Sequence, residues 1–514
     1  MKKVFSLMIA FVASLVLVGC VNVTTTTTEA TTTVTTTKKQ ADLSEMPESL
    51  PFDDEVTVTF WHTYGQGKSA LLDQLIAEFQ ELYPNVTIES TSQGSDYNSL
   101  REKIAMGISI GQTPTMAIGY PDHFAGYLNG DAVLALDDFI NNEEYGVDLS
   151  DFVDSYVAEN NQYAGGKMYS MPFSKSTEFM VYNKTVMDHH GITIPTDRAL
   201  TYDELLAITA TVTSSTGATV AADYTCEIGL NFDSSSNLFI NTVRQFNGGY
   251  TNTAGELLVG HANTTEMLNF LKSKFDTNEF GLPSRFEQNY GSNDFKAGNI
   301  CMSVGSTAGF SYNIPKESDS DFANYAYGAF EVGVAPIPQP TGAVLPSNPS
   351  AATAEYVMSA VQQGPNIGIF NNSTEEEQIA AWYFIKFLTL PDNTAAWAKD
   401  TGYLPVRKSG YESADYQAFM QIAQKYWAAG NDMSVLTKAE QDELHSSMVV
   451  NVAQVQVPYY AYDPAFAETK HGDITTAGSA VCREYVGTAL DNIYNGLLTV
   501  ANFAAKVEQE LTWK

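Results

Sequence analysis

The chain has 514 residues, 60 of them Asp or Glu against 27 Lys or Arg, for a formal net charge of −33. That length exceeds what one compact core organises, so two or more domains are expected. The acidic excess is spread along the chain and argues against non-specific nucleic-acid binding, which runs on phosphate neutralisation; it leaves room for a small anion, which needs only one or two local cations.

In chain order the first feature is a processing signal. Lys2 and Lys3 precede Val4–Val18, an apolar run too short for a comfortable membrane span. Leu17-Val18-Gly19-Cys20 then resembles a bacterial lipobox, which would make residues 1–20 a lipoprotein signal peptide and Cys20 the acylated new N-terminus. An uncleaved anchor with a chance Cys is the alternative. Asn22–Thr37 is nearly all threonine and the chain stays polar beyond it, so residues 21–54 are read as a disordered tether.

The folded body opens at Val56. Val56, Val58 and Phe60 alternate with polar residues as in a half-buried strand. Leu71, Leu72, Leu75, Ile76 and Phe79 then recur at helical spacing, Pro84 follows, and Asn85–Glu89 predicts a second strand. This β-loop-α-β unit leaves an aromatic, Gly-containing loop at the carboxyl end of a strand, where open α/β sheets bind ligands. Gln93–Tyr97 is a turn, Asn98–Gly107 a short helix, and Thr115–Ile118 a strand running into Gly119-Tyr120-Pro121-Asp122-His123. Lys167–Phe173 reads as a strand ended by proline, with Phe179–Tyr182 the next apolar stretch. Thr201 and Glu204 form a capping box for a helix to Ala210; Leu238–Phe246 and Thr264–Phe275 are further helices. Ile300–Val304 is a strand followed by the small residues Gly305–Gly309, whose backbone N–H groups suit an anionic or hydroxyl-rich ligand. Residues 332–350, rich in Pro and Gly, read as a linker between lobes. Thr374 and Glu377 cap a helix ending at Pro391, and the remainder, through Tyr416–Ala429, Lys438–Val449, Arg483–Ile493 and Val500–Leu511, is mainly helical.

An enzyme reading finds little support. The seven His residues build no H-E-x-x-H, and neither G-x-S-x-G nor a P-loop is present; Gly65-Gln66-Gly67-Lys68-Ser69 lacks the full spacing, since His62 stands where the first Gly belongs. Besides Cys20, three cysteines remain, Cys226, Cys301 and Cys482. They allow one disulfide, and their spacing is unlike a zinc site. A binding reading fits better. Trp61, Tyr64, Tyr97, Tyr120, Phe173, Ser174, Ser176, Ser306 and Tyr403 all fall at strand ends or turns, where aromatic faces stack on sugar rings and short polar groups take hydroxyls. Each aromatic has core packing as its alternative; Tyr64, Tyr97 and Tyr403 lean toward exposure. Arg407 and Arg483 stand out because Arg is rare; Arg483 either clamps a ligand through its fork of donors or pairs with a carboxylate.

Together, the lipobox, the tether, the Val56–Pro84 unit, Phe295-Lys296-Ala297-Gly298, the Pro/Gly stretch, the Thr374–Pro391 helix and Thr401–Arg407 resemble the extracellular solute-binding proteins of ABC importers, in the group that includes maltose- and glycerol-3-phosphate-binding proteins. The resemblance implies an α/β, periplasmic-binding-protein-like fold of type II, two α/β lobes joined by a multi-strand hinge. Lobe one would be 55–173 plus 341–402 and lobe two 178–331 plus 406–514, with crossings near Ser174–Thr177, Val332–Pro340 and Tyr403–Pro405. Carried over from the glycerol-3-phosphate-binding relative, the ligand-binding residues would be Tyr97, Asp122, Ser176, Ser306, Gly364, Tyr403 and Arg483, joined by the loop aromatics Trp61, Tyr64 and Tyr120. Asp122 is one residue out of register, with Pro121 in the matching place. The implied function is capture of a carbohydrate between the lobes for import. The alternative ligand is glycerol 3-phosphate or a glycerophosphodiester; a surface glycoside hydrolase or adhesin is a further alternative. Arg and backbone donors converging on one cleft would favour phosphate, and aromatic platforms on both walls would favour sugar. The resemblance implies no metal, no cofactor and no nucleic acid. Its partners would be the ABC permease subunits and the membrane, through the lipid anchor, with the protein a monomer on the extracellular face.

Overall fold

The computed structural model describes residues 41–94, 96–252, 256–340, 356–457, 460–461 and 479–512. The expected signal peptide, Cys20 and the tether as far as residue 40 lie outside the described residues. Residues 41–54 correct the tether's far end. Ala41 and Leu50 are buried, Leu43, Met46 and Phe52 pack on the first core, and the Tyr83 hydroxyl donates to Pro47 O at 2.6 Å. Unlike the threonine run, this stretch carries apolar side chains whose burial offsets the entropy of ordering it.

The strands in chain order are β1 (Val56–His62), β2 (Val86–Ser92), β3 (Met116–Gly119), β4 (Met171–Pro172), β5 (Ser176–Asn183), β6 (Ile228–Phe232), β7 (Phe280–Gly281), β8 (Ile300–Ser306), β9 (Val332–Ala335), β10 (Ala360–Gln363), β11 (Asn366–Ile369) and β12 (Tyr460–Ala461). Among the described residues they form two sheets, β2-β1-β3-β11-β4 and β12-β10-β5-β8-β6-β7, with β9 also paired to β5. These are the sheets of two α/β lobes.

In lobe one β1 runs parallel to β2 and β3. The period-two pattern puts Val58 and Phe60 inside, and the helical pattern of Gln66–Leu82 lays Leu72, Leu75 and Phe79 over them. Phe79 meets Phe384 and Phe387 of the helix Glu375–Leu388 at 5.0 and 5.6 Å between ring centroids. That helix starts at the Thr374–Glu377 capping box, as expected from sequence. In lobe two β5 is buried along its whole length, between β8 on one side and β9 and β10 on the other. A disulfide joins Cys226 to Cys301 on β8, leaving Cys482 a buried thiol.

The crossings differ from expectation at two places. Val332–Pro340 does not leave lobe two: β9 pairs with β5, and Gln339 N–H donates to Leu200 O at 2.8 Å. Gly333 is there because a Cβ would fall 2.0 Å from the Tyr182 ring, so the glycine signals close packing, not a linker. β10 still belongs to the second sheet and β11 to the first, so the chain crosses at Gly364-Pro365. Residues 341–355, expected in lobe one, lie outside the described residues, and 360–363 lie in the lobe-two sheet. Ser174–Thr177 crosses where expected: Ser174 N–H reaches Pro365 O and Leu404 N–H reaches Lys175 O at 2.7 Å, so the three crossing segments touch. Beyond the last of them Val406 is in the first core and Arg407 pairs with Glu45 and Asp151, so lobe one extends past residue 402.

Candidate ligand-binding cleft

The carboxyl ends of β1, β2, β3 and β8 deliver the loops expected to hold a ligand. Asp96 caps the helix Tyr97–Ile110 by accepting from Ser99 N–H at 2.8 Å, which fixes Tyr97 in the first turn. Tyr120 is the N-cap of the helix Pro121–Leu128, where Pro121 suits the first turn because its missing N–H has no intrahelical partner to lose. Tyr403 follows Gly402, which has φ +74° and packs on Thr307 O of lobe two.

These loops assemble a row of tyrosines. The Tyr403 and Tyr97 hydroxyls are 2.9 Å apart, and the Tyr97 and Tyr120 rings are 4.7 Å apart between centroids. At one end of the row the Arg483 guanidinium lies 6.0 Å from the Tyr120 ring centre; at the other the Lys68 ammonium lies 4.6 Å from that of Tyr403. Burial holds the Tyr97, Tyr120 and Tyr403 hydroxyls well above their ordinary pKa, so they remain donors.

Arg483, on the helix Ser479–Tyr494 of lobe two, reaches across the cleft. Its Nη1 lies 3.7 Å from Asp122 Oδ2 in lobe one, and its Nη2 donates to Asn237 Oδ1 at 3.1 Å. Asn237 Nδ2 in turn donates to Glu178 Oε1 at 2.8 Å and Gln363 Oε1 at 2.9 Å, so lobe two orients the guanidinium. Asp122 is 4% exposed, and neither of its carboxylate oxygens has a hydrogen-bond partner among the described residues. His123 does not balance it as a cation, because burial lowers that imidazole to about 4. Tyr120, Asp122, Gly364 and Arg483 line a cavity of about 20 Å³, room for roughly one water. A second ion pair, Arg101 to Glu484 at 3.5 Å, joins the lobes nearby.

The remaining expected site residues are placed less directly. Tyr64, read from sequence as an exposed loop aromatic, is 3% exposed: its hydroxyl lies 2.8 Å from Ser174 Oγ, which also accepts from Trp397 Nε1 at 2.9 Å. Its flanking glycine gave a misleading signal, since the ring turns inward and packs on Phe173 and Trp397 of lobe one. Trp61 is half-buried on the first core. Ser176 is buried at the start of β5, opposite Gln363. Gly364 has φ +96°, and a Cβ there would meet Ser174 O at 2.1 Å, so the crossing itself demands glycine. Ser306 ends β8 half-buried and accepts from Ala308 N–H at 3.3 Å. The tyrosine row thus gathers Tyr97, Tyr120, Tyr403, Asp122 and Arg483, with Gly364 lining the cavity at its Arg483 end, Ser306 on the facing turn, Tyr64 and Ser176 buried, and Trp61 half-buried on the first core.

Sequence reasoning missed Lys68, Asn237, Tyr290 and Tyr312. Lys68 was set aside with the failed P-loop pattern, although a cation directly after a strand-end loop was itself a signal. Asn237 had none, since a polar residue in a helix's first turn is ordinary. Tyr290 and Tyr312, on lobe two, are 63% and 67% exposed. Tyr290 is close enough to Tyr97 and Tyr120, and Tyr312 to Tyr403, to hinder their ionisation across the cleft.

The fold has many solved counterparts. A mycobacterial UgpB in complex with glycerophosphocholine superposes with a TM-score of 0.63 at 21% identity, over 89% of this chain and 98% of that one. The GacH receptor of Streptomyces glaucescens, solved without ligand and with acarbose, gives 0.63 at 18% identity, over 89% and 98%. Among curated relatives, the sn-glycerol-3-phosphate-binding periplasmic protein UgpB of Shigella flexneri is 22% identical over 375 residues, 71% of this chain and 77% of the relative. The counterpart from Shigella dysenteriae is 23% identical over the same length. Residues 74–424 match the model of the bacterial extracellular solute-binding proteins, and the chain belongs to that family.

Proposed function

We propose that this protein captures a glycerol-phosphate-type ligand, glycerol 3-phosphate or a glycerophosphodiester, between its lobes. As a family member it is the binding receptor of an ABC importer, takes a small polar ligand, and performs no chemistry on it. The observation that carries the finer reading is the pair of cations, Lys68 and Arg483, at the two ends of the tyrosine row in a chain of net charge −33. Cations are scarce here, and with Arg483 facing Asp122 the second cation, Lys68, leaves the cleft a charge that suits an anion, while Arg483 and the buried Asp122 oxygens suit the hydroxyls of a glycerol. The glycerol-3-phosphate-binding relatives support the same choice over the carbohydrate first expected from sequence. An oligosaccharide remains the second reading, because Tyr290 and Tyr312 offer exposed rings on the wall opposite Tyr97 and Tyr120. Acylation at Cys20 would keep the receptor beside its permease, on the strength of the Leu17–Cys20 motif.

Tryptophan fluorescence and thermal shift against glycerol 3-phosphate, glycerophosphodiesters and neutral oligosaccharides test this. The expected result is a saturable, sub-millimolar response to the phosphates that Arg483→Ala weakens. A response confined to neutral sugars would replace the ligand reading with the second one.

A further inference from the structure

Lys68 differs from the other cation of the cleft in what surrounds it. Arg483 already faces the Asp122 carboxylate at 3.7 Å. Lys68 has the Tyr403 ring at 4.6 Å and Ala308 O, on the lobe-two turn Thr307–Asn313, at 3.5 Å, both uncharged. Although acidic residues outnumber basic ones 60 to 27 in this chain, no carboxylate pairs with Lys68 among the described residues, and burial is the cause that shifts its ammonium. Lys68 stands in the first turn of the helix Gln66–Leu82, which has no acidic side chain in that turn and no side-chain cap at Gly65. Across the cleft, the Thr307 hydroxyl is fully buried with no hydrogen-bond partner among the described residues. The neighbouring Ser306 Oγ accepts from Ala308 N–H and keeps its own proton to donate. An ammonium with no carboxylate partner among the described residues, 3.5 Å from the carbonyl of Ala308, the residue that follows those two hydroxyls in the chain, is an arrangement that a tetrahedral oxyanion completes.

We propose that the anionic group of the ligand is held at this end of the cleft, by Lys68 with Ser306 and Thr307, and that Asp122 and Arg483 hold its hydroxyl groups at the other end. The assignment rests on the glycerol-phosphate reading above and adds an orientation to it. It also makes Lys68 the residue that separates charged from neutral ligands, and makes the anion a bridge between the helix Gln66–Leu82 and the lobe-two turn.

The sign of the pH dependence follows. Burial lowers the Lys68 ammonium to about 8. The titratable group facing it is Tyr403, whose own neighbours include Tyr64 and, on the lobe-two turn, Tyr312. The Tyr64 and Tyr403 hydroxyls are held well above the ordinary phenol value. A phosphodiester carries one fixed charge, so its affinity is level below about pH 8 and falls above it, by up to about tenfold per pH unit, as Lys68 loses its proton.

Calorimetric titration of wild type, Lys68→Met and Lys68→Arg with glycerol 3-phosphate, glycerophosphocholine and maltotriose, from about pH 6 to about pH 9, tests the proposal. The methionine variant is expected to bind both phosphates about 10- to 100-fold more weakly, to lose the alkaline fall with glycerophosphocholine, and to keep a wild-type melting temperature. Arginine is expected to restore phosphate affinity while abolishing the fall, because a guanidinium stays charged throughout. Phosphate affinities in Lys68→Met within about twofold of wild type would place the anion elsewhere and overturn the orientation, leaving the ligand class standing. Wild-type binding of maltotriose with neither phosphate bound would overturn the ligand class and the orientation with it.

Discussion

Glu178 shows how much one side chain's surroundings decide. It sits on β5 under the cleft, 5% exposed, and burial pushes its carboxyl up to about 7 from an ordinary 4.5, against the pull of the Asn237 hydrogen bond. The folded state therefore holds a proton that the unfolded chain gives up earlier. The stability this group contributes is full below about pH 4.5, declines as pH rises toward 7, and is level above; the loss is on the order of 3 kcal/mol. Asp233, raised to about 6 by burial, acts in the same direction. Glu178→Gln keeps an acceptor for Asn237 without the charge. It is expected to flatten the slope between pH 5 and 7 and to raise unfolding free energy at pH 8, measured by urea denaturation across that range. An unchanged slope would assign the pH dependence to other groups.

At the scale of elements, the lobe-two sheet is held by more than its ladder. The Cys226–Cys301 disulfide closes a loop 75 residues apart in sequence that contains β6, β7 and the helices between them. Replacing both cysteines with serine is expected to cost about 2–4 kcal/mol of unfolding free energy, and reductant should lower wild type to the same level. The cleft residues lie outside the Cys–Cys contact, so ligand affinity at 25 °C should hold. Element identity was largely legible beforehand. The alternation of Val56, Val58 and Phe60 and the capping boxes at Thr201 and Thr374 are local signals, and local hydrogen bonding fulfilled them. The 332–340 segment was misread because Pro and Gly mark both linkers and tight packing, and only the Tyr182 ring over Gly333 distinguishes them.

For the whole molecule the decisive contacts are those between lobes. Lys175, buried in the first crossing, donates to Glu159 Oε2, Gly364 O and Asn366 Oδ1, at 2.5, 3.0 and 3.3 Å. This ties two crossings into one hinge body. On the cleft side the lobes meet through the ion pairs Arg483–Asp122 and Arg101–Glu484. Glu484→Arg replaces the second attraction with a repulsion and is expected to shift the population toward the open form. Small-angle scattering should then show a larger radius of gyration, and ligand affinity should fall by the lost fraction of the closing-competent state. A variant matching wild type in both would limit the role of this pair to the surface.

The sequence by itself determined most of the segments that become strands and helices and that the strand-end loops carry tyrosines, and its resemblance to the solute-binding proteins implied the two α/β lobes. The first two rest on periodicity and capping over a few residues. Tertiary structure alone decided which tyrosines face the cleft and which the core. Tyr64 and Tyr97 each follow a lobe-one strand, yet the hinge draws the Tyr64 hydroxyl to Ser174 while Tyr97 meets Tyr403 from 306 residues away. It also decided that Arg483 meets Asp122 across the cleft while Lys68, among the described residues, meets a ring and a carbonyl. Pairing of charges depends on distances between segments hundreds of residues apart, and those distances exist only once both lobes have folded and met.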